Sequence, residues 1–196
     1  MLQHAVVAGN LSHAYLITGP SGIGKTTLAL ALASTLLCES EGPRPCGVCR
    51  GCRRVAAGTH PDLHIVESES TGAKLKIDSI RPLLHQLALT PMEGQWRVAI
   101  LKRFEEATTS AANALLKTLE EPPSYVVLLV LASDAENLLP TIVSRCQHIP
   151  LRAQPVAAVQ QALIERWQVT SAKAAELAHL SGGRLGWAVH ALHNPP

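Results

Sequence analysis

A chain of 196 residues, 47% hydrophobic but only 3% aromatic, has room for one full domain and a small second one, both with aliphatic cores of the kind found in parallel α/β layers and helices. Its 17 basic and 15 acidic side chains leave a net charge of +2, which excludes a global field steering it to nucleic acid and confines any DNA contact to a local surface or a shared assembly. No apolar run reaches the roughly 18 residues of a membrane span, and residues 1–10 lack the basic-then-apolar pattern of a secretion signal, so the expected compartment is the cytoplasm, with no membrane partner.

In chain order, Leu2 to Ala8 reads as a short helix, Asn10 to His13 as a turn, and Ala14 to Thr18 as a strand. Gly19-Pro-Ser-Gly-Ile-Gly-Lys25-Thr26-Thr27 then satisfies G-x-x-x-x-G-K-[ST], with a helix predicted over Thr27–Leu37. The glycines Gly19, Gly22 and Gly24 let backbone N–H groups turn inward around a phosphate, Lys25 reaches its outer oxygens, and the Thr26 hydroxyl suits Mg²⁺. The helix behind the loop, opening at Thr27, directs its positive dipole end at the same anion. A glycine-rich turn with no ligand is the competing reading, and the strand-loop-helix context argues against it.

From Glu39 to Gly58 apolar periodicity disappears, and a segment with two prolines, four glycines and three cysteines needs a cross-link to be ordered. Cys38, Cys46, Cys49 and Cys52 supply one as C-x7-C-x2-C-x2-C, a spacing that lets four thiolates converge on a structural Zn²⁺ with no open coordination position. Arg44, Arg50, Arg53 and Arg54 are near enough in sequence to offset its charge. Disulfides compete with this reading, and a reducing cytoplasm disfavours them.

Further strands are expected at Leu63–Glu67, Trp96–Leu101, Tyr125–Ala132 and Gln147–Leu151, and helices at Ser79–Leu87, with Asp78 as N-cap, and at Ser110–Leu119. Pro140 splits Glu136–Arg145 into two short helical pieces. Beyond Pro155 the pattern is purely helical: Val156–Arg166, Ser171–Leu180 and Arg184–Leu192. Residues 1–153, with a zinc module at about 38–54, and 154–196 are the expected domains.

Leu11-Ser-His-Ala-Tyr15, the four-cysteine insert, His60-Pro-Asp-Leu-His64, Ala112-Asn-Ala-Leu-Leu-Lys-Thr-Leu-Glu-Glu-Pro-Pro123 and Leu139-Pro-Thr-Ile-Val-Ser-Arg-Cys146 together resemble the AAA+ subunits of the bacterial DNA polymerase III clamp loader. Leu87-Ala-Leu-Thr-Pro91 with Glu93-Gly94 is more like the delta-prime branch than the gamma/tau motor branch. The resemblance implies a RecA-like P-loop domain with a central parallel sheet, a three-helix lid and a collar. The chain stops at Pro196, where the collar is expected to be missing. It also implies ATP or ADP with Mg²⁺ as cofactors, and as partners the gamma/tau and delta subunits, the sliding clamp and primer-template DNA.

By the same resemblance, the end of the strand at Leu101 should carry two acids for Mg²⁺ and water, yet Lys102-Arg103 stands there, with Glu105 and Glu106 beyond as possible substitutes. Ser133 falls at the first-sensor position and competes with a plain strand-end hydroxyl. Gly186 occupies the second-sensor Arg position, with Arg184 two residues early. Arg145 of Ser-Arg-Cys matches an arginine that acts in trans on a neighbour's ATP, and a surface Arg after a helix is its bland alternative. His13 is expected to edge an adenine pocket. The implied function is a stator that binds nucleotide without hydrolysing it; a hydrolysing gamma/tau-type ATPase and, more distantly, a P-loop small-molecule kinase are the alternatives.

Overall fold

The computed structural model describes residues 11–194, so the helix expected at Leu2–Ala8 lies outside the described residues. Five strands, β1 (Ala14–Thr18), β2 (Leu63–Val66), β3 (Arg97–Leu101), β4 (Val126–Ala132) and β5 (Gln147–Pro150), form one parallel sheet in the order β2-β3-β4-β1-β5. β1, β3 and β4 are buried along their whole length, which is why they read as unbroken apolar runs instead of alternating ones.

The alternation is still present, but it divides two cores. Ala14 and Leu16 of β1, with Leu128 and Val130 of β4, face a cluster completed by α3 (Ile77–Ala88) and α4 (Thr109–Glu120) through Ile80, Leu83 and Leu115. Tyr15 and Ile17, with Leu129 and Leu131, face α1 (Lys25–Leu36) and the short α2 (Arg50–Ala56) through Leu32, Leu36 and Val55. α5 (Pro140–Val143) precedes β5, and α6 (Val156–Trp167), α7 (Ser171–Ser181) and α8 (Leu185–His193) gather a third cluster of their own around Val159, Leu163, Leu177 and Ala188.

Several local expectations give way to the structure. The cysteine-rich segment contains α2, which apolar periodicity cannot reveal because only Gly51, Cys52 and Val55 of its seven residues are buried. Lys76, in extended conformation, is the N-cap of α3, which places Asp78 in the first turn. One helical piece forms between Glu136 and Arg145, because Pro140 starts a helix at its first turn more readily than it interrupts one.

One polar pair is fully interior. The Arg97 guanidinium lies 3.2 Å from Asp62 and donates to the carbonyls of Gln86 and Thr90, each at 2.7 Å. The Asp62 carboxylate accepts from the N–H groups of Met92 and Glu93, both at 2.7 Å. This fastens the loop after α3 to β2 and β3, and losing one partner from such a pair typically costs about 3–5 kcal/mol.

Candidate nucleotide site and thiol cluster

Register fixes where the site falls. Thr18 pairs with Ala132 and Leu101 with Val130, so the residues that follow β1, β3 and β4 emerge together at the carboxyl edge of the sheet, where ligands of open α/β sheets bind. Gly22, Gly24, Lys25, Thr26, Thr27 and Ser133 line one cavity of about 460 Å³ there, together with Lys102, Glu105 and Gly186. Gly19 closes the end of β1, donating its N–H to the Ser133 carbonyl at 3.1 Å. Gly24 caps α1 at φ 111, a left-handed conformation suited to glycine, and turns the start of α1 toward the cavity. The Lys25 ammonium donates to the carbonyls of Gly19 and, at 3.1 Å, Pro20. Burial pulls its pKa below the usual lysine range, and the Glu105 carboxylate pulls the other way.

At the end of β3 the two cations are held by acids of the protein itself. Arg103 adopts a left-handed backbone (φ 46), pairs with Glu67, bonds Glu106 at 3.0 Å and donates to both oxygens of Ser68 at 2.8 Å. Lys102 lies 3.3 Å from Glu67. Glu106 also accepts from the Ser68 hydroxyl and, at 2.7 Å, from the Gly72 N–H, contacts that with Arg103 hold its carboxyl below the usual range.

The expected lid, α6 to α8, reaches this cavity through backbone at the start of α8. The N–H of Trp187 donates to the Gly22 carbonyl at 3.0 Å. A Cβ on Gly186 would stand 2.7 Å from that same oxygen, and one on Gly22 would stand 2.8 Å from the Trp187 Cβ. No side chain fits at position 186 while the lid is seated, and a long Arg least of all. Arg184 is engaged elsewhere: its guanidinium lies 5.7 Å from the Trp187 ring centroid, and its Nε donates to the Ser181 carbonyl at 2.7 Å.

Arg145 stands apart from all of this. Its guanidinium is 2.8 Å from Glu120, donates to the Thr141 carbonyl at 3.0 Å, and borders a separate open cavity with His13, Leu119, Glu120 and Ser144. None of those residues lines the phosphate-loop cavity, so His13 belongs to the surroundings of Arg145.

At the carboxyl end of α1, the four Sγ atoms of Cys38, Cys46, Cys49 and Cys52 lie within 4.8 Å of one another. Cys38 to Cys49 is 3.9 Å and Cys46 to Cys52 is 4.0 Å, close to the edge of about 3.8 Å that a tetrahedron with 2.3 Å Zn–S bonds requires. The backbone supplies further fit: the N–H groups of Cys49 and Cys52 point at the sulfurs of Cys46 and Cys49, both at 3.3 Å. The Cys52 N–H is the main cause that lowers the Cys49 thiol to about 6, whereas burial raises Cys52 to about 12. The donor set therefore suits a metal ion. Arg50 and Arg54 pair with Glu93, at 3.6 and 2.8 Å.

A parallel sheet in this strand order, with a phosphate loop after β1 and a following three-helix cluster whose last helix, α8, meets that loop, defines a P-loop module of the AAA+ type. Over residues 1–155 the chain matches the family described as DNA polymerase III, delta subunit, and it belongs to that family. It is 37% identical over 166 residues to DNA polymerase III subunit delta' of Bacillus subtilis (strain 168), covering 85% of this chain and 50% of that protein. With subunit delta' of Pseudomonas aeruginosa it shares 43% over 136 residues, 69% of this chain and 42% of the relative. Subunit tau of Escherichia coli (strain K12) is 36% identical over 163 residues, 83% of this chain and 25% of its own length. The chain thus spans half or less of these curated relatives. Among solved structures, a gamma subunit-related protein of Thermotoga maritima superposes with a TM-score of 0.62 at 22% identity over 95% of this chain and 69% of its own. The RuvB Holliday junction branch migration motor of the same organism gives 0.61 at 17%, over 96% and 56%. Both show the fold. Among the described residues no helix is long and apolar enough to cross a membrane.

Sequence reasoning singled out the loop, Ser133, Arg145 and the cysteines; it missed the Asp62–Arg97 pair and the contact between Gly22 and the lid. His60-Pro-Asp62 carries a hint of the first, since an Asp beside a strand start with no cation nearby in sequence needs a distant partner. Nothing short of the fold signals the second.

Proposed function

We propose that this chain is the nucleotide-binding part of a delta-prime clamp-loader subunit of DNA polymerase III, a cytoplasmic stator that holds nucleotide without turning it over. In this reading residues 1–153 form the nucleotide domain and 154–196 its lid, and a structural Zn²⁺ sits on Cys38, Cys46, Cys49 and Cys52. Gly19 to Thr27 cradle the phosphates of ATP or ADP, with Ser133 beside them. The observation that carries it is an intact phosphate loop facing Lys102 and Arg103, with Arg103 tied to Glu67, Glu106 and Ser68. Mg²⁺ on the phosphates supplies charge neutralisation, but hydrolysis also needs an acid that orients and polarises water, and a bound guanidinium is its electrostatic opposite.

In this reading Arg145 serves a site on an adjacent subunit, which its place outside the chain's own phosphate cavity supports, and that contact must release it from Glu120. The gamma/tau and delta subunits, the sliding clamp and primer-template DNA are the partners this role requires.

Nucleotide titration and single-turnover hydrolysis on the isolated chain test the first half: binding is expected without hydrolysis. Lys25→Ala should weaken binding by about 10- to 100-fold, the size of a charge-assisted phosphate contact. Turnover by wild type that Lys25→Ala abolishes would favour the hydrolysing alternative. For the second half, Arg145→Ala should leave this chain's own nucleotide affinity unchanged while slowing ATP turnover of the reconstituted assembly by about 10³-fold.

A further inference from the structure

Among the described residues, the charged side chains lining the phosphate-loop cavity are Lys25, Glu67, Lys102, Arg103, Glu105 and Glu106, and their partners sort them. Arg103 is fully engaged: its Nε, Nη1 and Nη2 donate to Glu106, Glu67 and Ser68. Glu106 accepts from Arg103, Ser68 and Gly72. Glu105 accepts the Ser133 N–H at 3.1 Å through one oxygen, and its other oxygen is shut away from solvent. Lys102 differs from all of these, because its ammonium carries three donors and has one partner, the Glu67 carboxylate at 3.3 Å. Glu67 does not depend on it, since the Arg103 guanidinium is paired with the same carboxylate.

Strand alternation aims Lys102 at the loop. In β3, Ala99 and Leu101 face the α3 and α4 side, whereas Val98 and Ile100 face the α1 side. The Lys102 N–H donates to the Val66 carbonyl at 2.8 Å, which carries the ladder one residue past the strand. The alternation therefore sends the Lys102 side chain to the side on which α1 opens with Lys25 and Thr26. Arg103 then takes its left-handed turn and leaves the series.

The charge balance favours a move. Lys25 brings one positive charge and the dipole of α1 roughly half of one, so a diphosphate carries more negative charge than the loop cancels. Lys102 gives up little to help: it and Glu67 are 26% and 34% exposed, and an ion pair of that exposure contributes about 0–1 kcal/mol.

We propose that Lys102 is the second phosphate ligand of this cavity: when nucleotide binds, its ammonium leaves Glu67 for the outer phosphate oxygens and supplies the positive charge that a divalent cation otherwise brings, so that affinity depends little on Mg²⁺. The inference rests on reading Gly19 to Thr27 as a nucleotide cradle. It concerns binding alone, since an ammonium orients no attacking water.

The test is ADP affinity of the isolated chain, measured by calorimetry in EDTA and in excess Mg²⁺, for wild type, Lys102→Gln and Lys102→Arg. In EDTA, Lys102→Gln should bind about tenfold more weakly than wild type, the scale of one charge-assisted contact, and Lys102→Arg should stay within about threefold. Excess Mg²⁺ should change wild-type affinity by less than about threefold but strengthen Lys102→Gln by about tenfold, because the metal then brings the missing charge. Loss of packing, or of the Glu67 pair alone, would not be restored by Mg²⁺. The proposal is overturned by a Lys102→Gln protein that keeps wild-type affinity in EDTA, or by a wild type that gains more than about threefold from Mg²⁺. If Lys102→Gln does not fold, acylation of wild-type lysines by N-hydroxysuccinimidyl acetate with and without ADP decides: ADP should shield Lys102 as it shields Lys25, and shielding of Lys25 alone counts against it. A wild type that binds no ADP in either buffer removes the cradle reading as well, whereas ADP binding that Lys102→Gln leaves unaltered removes this inference alone.

Discussion

The phosphate loop and the cysteine turn are the same device with the charge placed differently. Each is a glycine-containing turn that runs into a helix and converges backbone N–H groups on negative charge. At Cys46 to Cys52 that charge belongs to the chain, so the Cys52 N–H caps α2 by donating to the Cys49 sulfur. At Gly19 to Thr27 no side chain caps α1, and its first N–H groups are left for an anion that comes from outside. The first arrangement suits a cation that holds its own sulfurs together, and the second suits an anion. Backbone shape alone does not distinguish a self-contained site from a receiving one. The side chains around the turn do.

Removing metal should separate the two most sharply. Structural Zn²⁺ binding is worth about 10–16 kcal/mol in small zinc modules, so a strong chelator should abolish hydrogen-exchange protection in α2 while α1 stays protected. Metal analysis should return about one Zn²⁺ per chain before treatment. Simultaneous loss of protection in α1 would show one cooperative unit where two are expected.

A finer contrast comes from two glycines with nearly identical backbones, Gly22 at φ 76 and Gly47 at φ 75. A Cβ on Gly47 meets nothing within 4 Å, so Gly47→Ala should cost only backbone strain, about 1 kcal/mol. On Gly22 the same Cβ also strikes Trp187, so Gly22→Ala should cost about 1–3 kcal/mol more and weaken nucleotide binding. Equal melting shifts for the two variants would deny the lid contact any role.

The smallest effect is pH dependence on the cysteine side of the molecule. His60, whose Nδ1 accepts the Asp62 N–H and whose Nε2 lies 3.9 Å from Glu93, has its pKa lowered from 6.5, chiefly by burial. His64 is lowered likewise, chiefly by burial and then by Arg97. For a lowered histidine the folded state binds fewer protons than the unfolded one, so this stability is present above the unfolded pKa and is lost as pH falls below it. Denaturant midpoints should therefore decline from about pH 6.5 downward. A midpoint flat down to the carboxylate range would remove the histidine contribution.

What was legible in the sequence followed from local rules. The strands, α1, α4 and the lid helices showed as apolar runs and periodicities, and the loop and cysteines as fixed spacings. What was not legible depended on long-range placement. α2 is built on an N-cap cysteine and two glutamate-paired arginines, none of which carries a helical period. Glu105 and Glu106 are adjacent and chemically alike, and only the fold gives them different partners, the Ser133 N–H for one and Ser68, Gly72 and Arg103 for the other. Arg97 falls inside a run expected as a strand, and its partners, the Thr90 carbonyl and the Asp62 carboxylate, come from other parts of the chain.

The seat of the lid on Gly22 bears on how reversible this site is. Introducing an arginine at position 186 does not by itself create a second sensor, since its Cβ would meet the Gly22 carbonyl at 2.7 Å and force the lid off the loop. Replacing Lys102 and Arg103 with acids would strand Glu67 and Ser68 without their partners. If the chain holds nucleotide without hydrolysing it, as proposed, turnover thus lies across at least two changes, each unfavourable taken alone. On that reading, a small backbone contact of this kind acts as a ratchet against the recovery of hydrolysis by single steps.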